Sequence, residues 1–193
     1  MLFNCIDSFY EPNELGLITI SFLNQHFTPS HQSNQIYYSG DRMKGYPCYE
    51  TSHMTASNNP MNPFNIFKKT FENKTQMQIL HIKTFLRKTK LSELKASPSW
   101  GQYKQHQDSE CDIAGVVYFN SNSIDDGTNF YNTEYDYEPT ATIGARYNRC
   151  VFYSSLTFHS PVMKQSVEER WVQPFFIITK KETYEKMKEK NET

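Results

Sequence analysis

The sequence predicts a mainly β domain, a sandwich or barrel with helices packed on its outside. Two observations carry this expectation. The chain has 13 tyrosines and 14 phenylalanines against only 7 glycines, a content that suits pleated, half-buried strands. From Met77 onward, short apolar runs bounded by turn residues follow one another at close spacing, as in an all-β architecture. At 193 residues the simplest organisation is one domain with a substantial core. Mean hydropathy is low at −0.71, but a disordered chain would not be 15% aromatic.

Element by element, residues 2–6 read as a short strand. Pro12-Asn13-Glu14 opens a helix running to about His26, with Leu15, Ile18, Phe22 and Leu23 on one face. Residues 27–63, rich in Ser, Asn, Pro and Tyr, read as loop and short strands covering the core. Asn62-Pro63 starts a second helix to about Asn73 that buries Phe64, Phe67 and Phe71. The period then changes: Leu80, Ile82, Thr84 and Leu86 alternate with His81, Lys83 and Phe85, a strand pattern. A loop containing Pro98 leads to Gln102–Asp108. Further strands are expected over Asp112–Asn120, Thr128–Tyr131, Arg149–Ser154, Leu156–His159 and Glu168–Thr179. Lys and Glu alternate in the tail, residues 180–193, as in a solvated helix. The single domain, 1–193, thus divides into 1–76 packing on the barrel, a strand-rich core at 77–179, and a charged tail.

A net charge of −1 and a pI near 6.6 give no electrostatic case for nucleic acid. No apolar run is long enough to span a membrane, and the N-terminus lacks the pattern of a signal peptide. Cys5, Cys48, Cys111 and Cys150 form no CxxC pair, so a zinc ribbon is unsupported. They read as reduced thiols of a cytoplasmic protein. The Asn-x-Ser/Thr triplets at Asn73 and Asn191 then read as chance matches.

The chemistry is carried by His106-Gln107-Asp108, Thr157-Phe158-His159-Ser160-Pro161 and Glu168-Glu169-Arg170-Trp171. In an extended segment, residues i and i+2 face one side, so His106 and Asp108 can reach one metal while Gln107 points away. The gap from Asp108 to His159 holds several strands, enough to fold a barrel wall back over the pair. Two imidazoles and one carboxylate make a facial triad, which suits Fe(II) and leaves open positions. Taken singly, each residue has an ordinary explanation: a hydrogen-bonded histidine, a turn aspartate, an ion-paired arginine. The set, in strand-rich context, points to metal binding. His26, His31, His53 and His81 have no partner at ligand spacing and read as structural or exposed.

These residues, with Ala114-Gly115-Val116-Val117-Tyr118-Phe119-Asn120, Asp126-Gly127-Thr128-Asn129-Phe130 and Glu169-Arg170, resemble the core of the Fe(II)/2-oxoglutarate-dependent oxygenases, in the prolyl-hydroxylase-like branch. The likeness covers about residues 77–179. Asn148-Arg149-Cys150-Val151-Phe152-Tyr153-Ser154-Ser155 is similar to a subgroup without an assigned substrate. Two departures stand out. Asp126-Gly127 occupies the place of a commoner Gly-Gly, and Val172 stands two residues after Arg170 where a Ser or Thr often helps hold the co-substrate.

The resemblance implies a double-stranded β-helix, a jelly-roll or cupin-like barrel, with the triad at one mouth. It implies a dioxygenase in which His106, Asp108 and His159 bind Fe(II), with 2-oxoglutarate and O2 as co-substrates. The planar fork of Arg170 would pair with the 5-carboxylate of 2-oxoglutarate. Asp108 argues for hydroxylation and against halogenation, since related halogenases lack this carboxylate. Tyr118 reads either as a co-substrate contact inside the barrel or as packing, and Asn120 and Tyr103 are open in the same way. Residues 121–139 carry Asp125, Asp126, Glu134, Asp136 and Glu138 with no Lys or Arg; they read as a solvated loop, or as a rim preferring a cationic substrate. Trp100 and Trp171 read as core or pocket wall. The expected partner is a small-molecule or peptide substrate, with neither nucleic acid nor membrane, and the oligomeric state stays open. Two other functions compete: a cupin-like metal enzyme without 2-oxoglutarate, in which Arg170 has no role, and a non-catalytic β-barrel binding protein.

Overall fold

The computed structural model describes residues 3–29, 48–96, 105–108, 110–163 and 168–180. His31, Trp100, Tyr103 and the tail beyond Lys180 lie outside this set. In chain order the elements are β1 (Phe3–Ile6), α1 (Pro12–Asn24), β2 (Thr28–Pro29), β3 (Tyr49–Glu50), α2 (Pro63–Thr75), β4 (Ile79–Thr84), β5 (Arg87–Lys90), α3 (Leu91–Ala96), β6 (Ile113–Tyr118), β7 (Ser123–Tyr131), β8 (Ala141–Ala145), β9 (Arg149–Ser154), β10 (Phe158–Met163) and β11 (Glu169–Thr179).

These strands form two antiparallel sheets. The larger runs β1-β9-β6-β11-β5-β3-β2, with β4 also on β11; the smaller runs β10-β7-β8. His106 bridges to His159 on β10, which extends the smaller sheet by one short segment. The architecture is a mainly β jelly roll with flanking helices. Residues before 77 do more than cover it, because β1, β2 and β3 are strands of the larger sheet.

Period-two alternation gives the larger sheet two apolar faces. On the outer face Ile113, Val117, Cys150, Phe152, Phe175 and Ile177 pack with Ile18 and Phe22 of α1 and with Phe67 and Phe71 of α2. On the inner face Ala114, Val116, Tyr118, Val151, Tyr153 and Val172 pack with Phe130 of the smaller sheet. Gly115 lies where β6 and β11 press together. A Cβ there would fall 2.3 Å from the Phe175 ring and 2.5 Å from the Val151 carbonyl oxygen.

The two longer helices, α1 and α2, begin where their caps dictate. Pro12 takes the first turn of α1, where its missing N–H costs nothing, and the Glu11 N–H donates to Glu14 at 3.1 Å. The Asn62 side chain accepts from the Phe64 N–H at 2.9 Å to open α2. That helix ends at Gln76 in the left-handed conformation. Leu15, Ile18 and Phe22 are buried as expected, but Leu23 is 65% exposed, one position outside the apolar stripe.

The strand expected over Leu80–Leu86 differs in register and length. Thr179 opposes Ile79 and Ile178 opposes His81, so Leu80 is the extra residue of a β-bulge and is 49% exposed. Thr84 opposes Phe175 and Arg87 opposes Val172, so β4 and β5 keep one register along β11. The break lies opposite Gln173 and Pro174. Pro174 has no N–H to give the ladder, and its carbonyl accepts the Thr84 hydroxyl at 2.8 Å. No helix among the described residues is long and apolar enough to cross a membrane.

Candidate metal and carboxylate site

Backbone pairing assembles the triad. The His106 N–H donates to the His159 carbonyl at 2.9 Å, the His159 N–H donates back at 3.0 Å, and the Asp108 N–H donates to the Ser155 carbonyl at 2.9 Å. The two imidazoles are thereby set side by side, with ring centroids 4.3 Å apart. Asp108 presents its carboxylate to both: Oδ1 is 4.0 Å from His106 Nε2 and Oδ2 is 3.4 Å from His159 Nε2. The ligating atoms of the three residues all lie within 4.8 Å of one another, close enough to share one ion.

His159 is the deepest of the three and the most constrained. Its Nδ1 is 3.0 Å from the Thr157 carbonyl oxygen. That contact favours the tautomer with the proton on Nδ1, leaving the Nε2 lone pair free to ligate. The Tyr153 ring packs against the imidazole at 4.4 Å between centroids. Burial lowers the His159 pKa to about 4; His106 pushes the same way, and Asp108 opposes both. The ring is therefore neutral, the form a metal needs.

Arg170 lies deeper in the barrel. It is 4% exposed, with Nη1 donating to the Val162 carbonyl at 3.2 Å and Nη2 to the Gly127 carbonyl at 3.4 Å. Its guanidinium stands over the Tyr118 ring, 5.2 Å from the centroid. Val162 is three positions beyond His159 on β10, roughly 10 Å along an extended strand. That separation suits a five-carbon diacid with one end on the triad and the other on the guanidinium. Arg170 Nε is buried with no hydrogen-bond partner among the described residues. A buried charged donor in that state is costly, and a carboxylate is the natural group to satisfy it. The residues present fit both the metal and the diacid.

Tyr118 is fully buried on the inner face, its hydroxyl 2.7 Å from Thr128 Oγ1. Burial raises its pKa, with the Arg170 charge working against the shift. Asn120 has a different use: its side chain donates to the Glu169 carbonyl at 2.6 Å and accepts from the Trp171 N–H at 2.8 Å, fastening β11. Trp171 belongs to the outer face, stacked on Phe22 at 5.3 Å. His26, His53 and His81 are exposed.

The glycine departure has a structural reason. Gly127 has φ +155°, and a Cβ there would lie 2.1 Å from the Ile143 carbonyl oxygen, so this position needs glycine. The preceding position does not. Asp126 is buried and accepts the Ser121 hydroxyl at 3.1 Å. Much of the acidic stretch is therefore strand β7 rather than loop. Asp125 is exposed on β7 and the turn after β7 projects, held beside His106 by Gln105, whose side chain donates to the Glu134 and Asp136 carbonyls at 2.7 Å each.

Thr157 and Tyr153 both touch His159, and nothing in their residue type marked either one in the sequence. Period-two alternation from Val151 was the one sequence signal that places Tyr153 on the inner face.

No protein-family model matches the chain, and no curated protein matches it either. Solved structures do. A prolyl hydroxylase from Trichoplax adhaerens, in complex with a hypoxia inducible factor oxygen degradation domain peptide fragment, superposes with a TM-score of 0.62 at 14% identity, covering 94% of this chain and 85% of that one. A Pseudomonas putida prolyl-4-hydroxylase gives 0.58 at 8% identity, covering 91% and 92%. HygX from Streptomyces hygroscopicus, with nickel, 2-oxoglutarate and hygromycin B bound, gives 0.54 at 8% identity, covering 90% and 81%. The chain has the double-stranded β-helix fold of the 2-oxoglutarate- and Fe(II)-dependent oxygenases.

Proposed function

We propose that this chain is an Fe(II)- and 2-oxoglutarate-dependent oxygenase that hydroxylates a small molecule or a peptide side chain. One observation carries the reading: a His-Asp-His cluster whose ligand atoms lie within 4.8 Å shares a barrel interior with a buried arginine whose Nε has no hydrogen-bond partner among the described residues. When bound, Fe(II) with 2-oxoglutarate and O2 supplies an oxidant that replaces a C–H by C–OH, with succinate and CO2 as co-products.

The roles of the chain's own residues follow from their positions. His106, Asp108 and His159 offer one face of ligands, and the Asp108 carboxylate offsets part of the cation's charge. Thr157 fixes the His159 tautomer. Arg170, steadied by the Tyr118 ring and two backbone carbonyls, receives the far carboxylate of the diacid. Val116, Val151, Val172 and Phe130 keep the interior apolar and exclude water, which strengthens that ion pair. Arg170 weighs against a metal enzyme without 2-oxoglutarate, which would have no use for a buried guanidinium. The likeness to one structure holding a peptide and another holding hygromycin B supports both substrate classes. Free thiols at Cys5, Cys48, Cys111 and Cys150 support a reducing, cytoplasmic compartment.

The test is succinate formation from 2-oxoglutarate with Fe(II) present, across a panel of amino acids, peptides and small molecules. Turnover is expected to need both Fe(II) and 2-oxoglutarate and to vanish in His106→Ala. Turnover that persists in that variant, or that is unchanged when 2-oxoglutarate is omitted, would overturn the proposal.

A further inference from the structure

The floor of the site lacks a hydroxyl on β11, because Val172 is buried in the inner apolar cluster. The neighbouring strand brings one to the same place. Thr89 of β5 is paired directly with Arg170 of β11, and residues directly opposite on antiparallel strands share a face, with Cβ atoms about 5 Å apart. The adjacent Lys88 points the other way, its ammonium 4.4 Å from the Phe27 ring centroid and 4.8 Å from that of Trp171, on the outer face. Thr89 therefore faces inward beside the guanidinium, and it is 1% exposed. A buried hydroxyl next to a buried arginine whose Nε has no partner among the described residues forms a cradle for a carboxylate, which has two oxygens to satisfy.

We propose that the Thr89 hydroxyl donates a hydrogen bond to the 5-carboxylate of 2-oxoglutarate alongside Arg170, taking the place of the hydroxyl missing at position 172. The inference rests on the 2-oxoglutarate reading above. It also makes the polar, charged strand Arg87–Lys90 a wall of the co-substrate site rather than a surface element.

The experiment measures binding rather than turnover. The full chain, loaded anaerobically with Mn(II), is titrated with 2-oxoglutarate and with 2-oxopentanoate, which has the same keto-acid head and no far carboxylate. Wild type, Thr89→Val and Thr89→Ser are compared. Thr89→Val is expected to bind 2-oxoglutarate about tenfold more weakly, the loss of one hydrogen bond to a charged group, and to bind 2-oxopentanoate as wild type does. Thr89→Ser is expected to stay within about twofold of wild type for both ligands. Reading the ratio of the two affinities within each variant cancels any partial unfolding. Equal losses for both ligands in Thr89→Val, no loss at all, or a Thr89→Ser variant that behaves like Thr89→Val would overturn the inference and leave the 2-oxoglutarate reading standing. A wild-type chain that binds neither ligand would overturn both.

Discussion

The imidazole Nδ1 of His159 sits 3.0 Å from the carbonyl oxygen of Thr157, two residues before it. This contact lies within a single turn of chain, yet it sets which nitrogen of the most buried imidazole faces His106 and Asp108. Burial, against the pull of Asp108 and of the Thr157 carbonyl, lowers the pKa of this ring to about 4 and keeps it neutral.

That depression makes the metal-free protein sensitive to acid. An unfolded histidine titrates near 6.5, so between about pH 6.5 and 4 the unfolded state binds a proton that folded His159 refuses. Stability from this group is fully present above pH 6.5 and is lost as pH falls toward 4. Chelator-treated protein is expected to lose about 2 kcal/mol from this residue between pH 7 and pH 5, read as a lower Tm. In His159→Gln the pH slope of Tm should flatten, and an unchanged slope would contradict this account.

Arg170→Lys keeps the charge but not the fork. The guanidinium reaches two carbonyls and still has Nε to offer, and an ammonium cannot reproduce that geometry. Affinity for 2-oxoglutarate is expected to fall by about 10- to 100-fold, measured by titration of the metal-loaded protein. Wild-type affinity in this variant would remove Arg170 from the carboxylate site.

Gly127→Ala tests the strained position. The backbone at φ +155° and the Ile143 carbonyl leave no room for a methyl group. A loss of about 2–4 kcal/mol in stability is expected, read by denaturant unfolding. Binding of 2-oxoglutarate should weaken as well, because the Gly127 carbonyl holds Arg170.

Phe175→Ala removes a ring, fully buried, that touches Phe67 and Phe71 of α2. The expected cost is about 3–5 kcal/mol. Phe175 points away from the site, so metal affinity of the folded fraction should stay at wild-type level. A variant with normal stability would mean that α2 does not anchor on β11 through this ring.

Particular residues show which parts of the fold were legible in the chain. The strand Arg149–Ser154 and the start of α2 at Pro63 were readable because their signals are local: an apolar run in one case, an Asn cap and a proline in the other. β8 (Ala141–Ala145) was not, because five small or β-branched residues between turns carry little apolar signal. β5 (Arg87–Lys90) was not, because a strand of three cations and a threonine reads as surface. Its pairing partners on β11 and β3 supply the context that the sequence lacks. The Leu80 bulge was invisible for the same reason, since an inserted residue is defined only by the strand opposite.

By itself, the sequence determined the strand-rich core and the two capped helices through local periodicity, and it singled out His106, Asp108, His159 and Arg170 as candidates through their spacing together with the family resemblance. Only the tertiary structure decided that His106 and His159 exchange backbone hydrogen bonds, that Gly127 rather than Asp126 carries the strained conformation, and that Thr89 stands beside Arg170. Those facts depend on register between strands far apart in the chain. Register is set by which faces the whole sheet can bury together, and no local stretch of residues contains it.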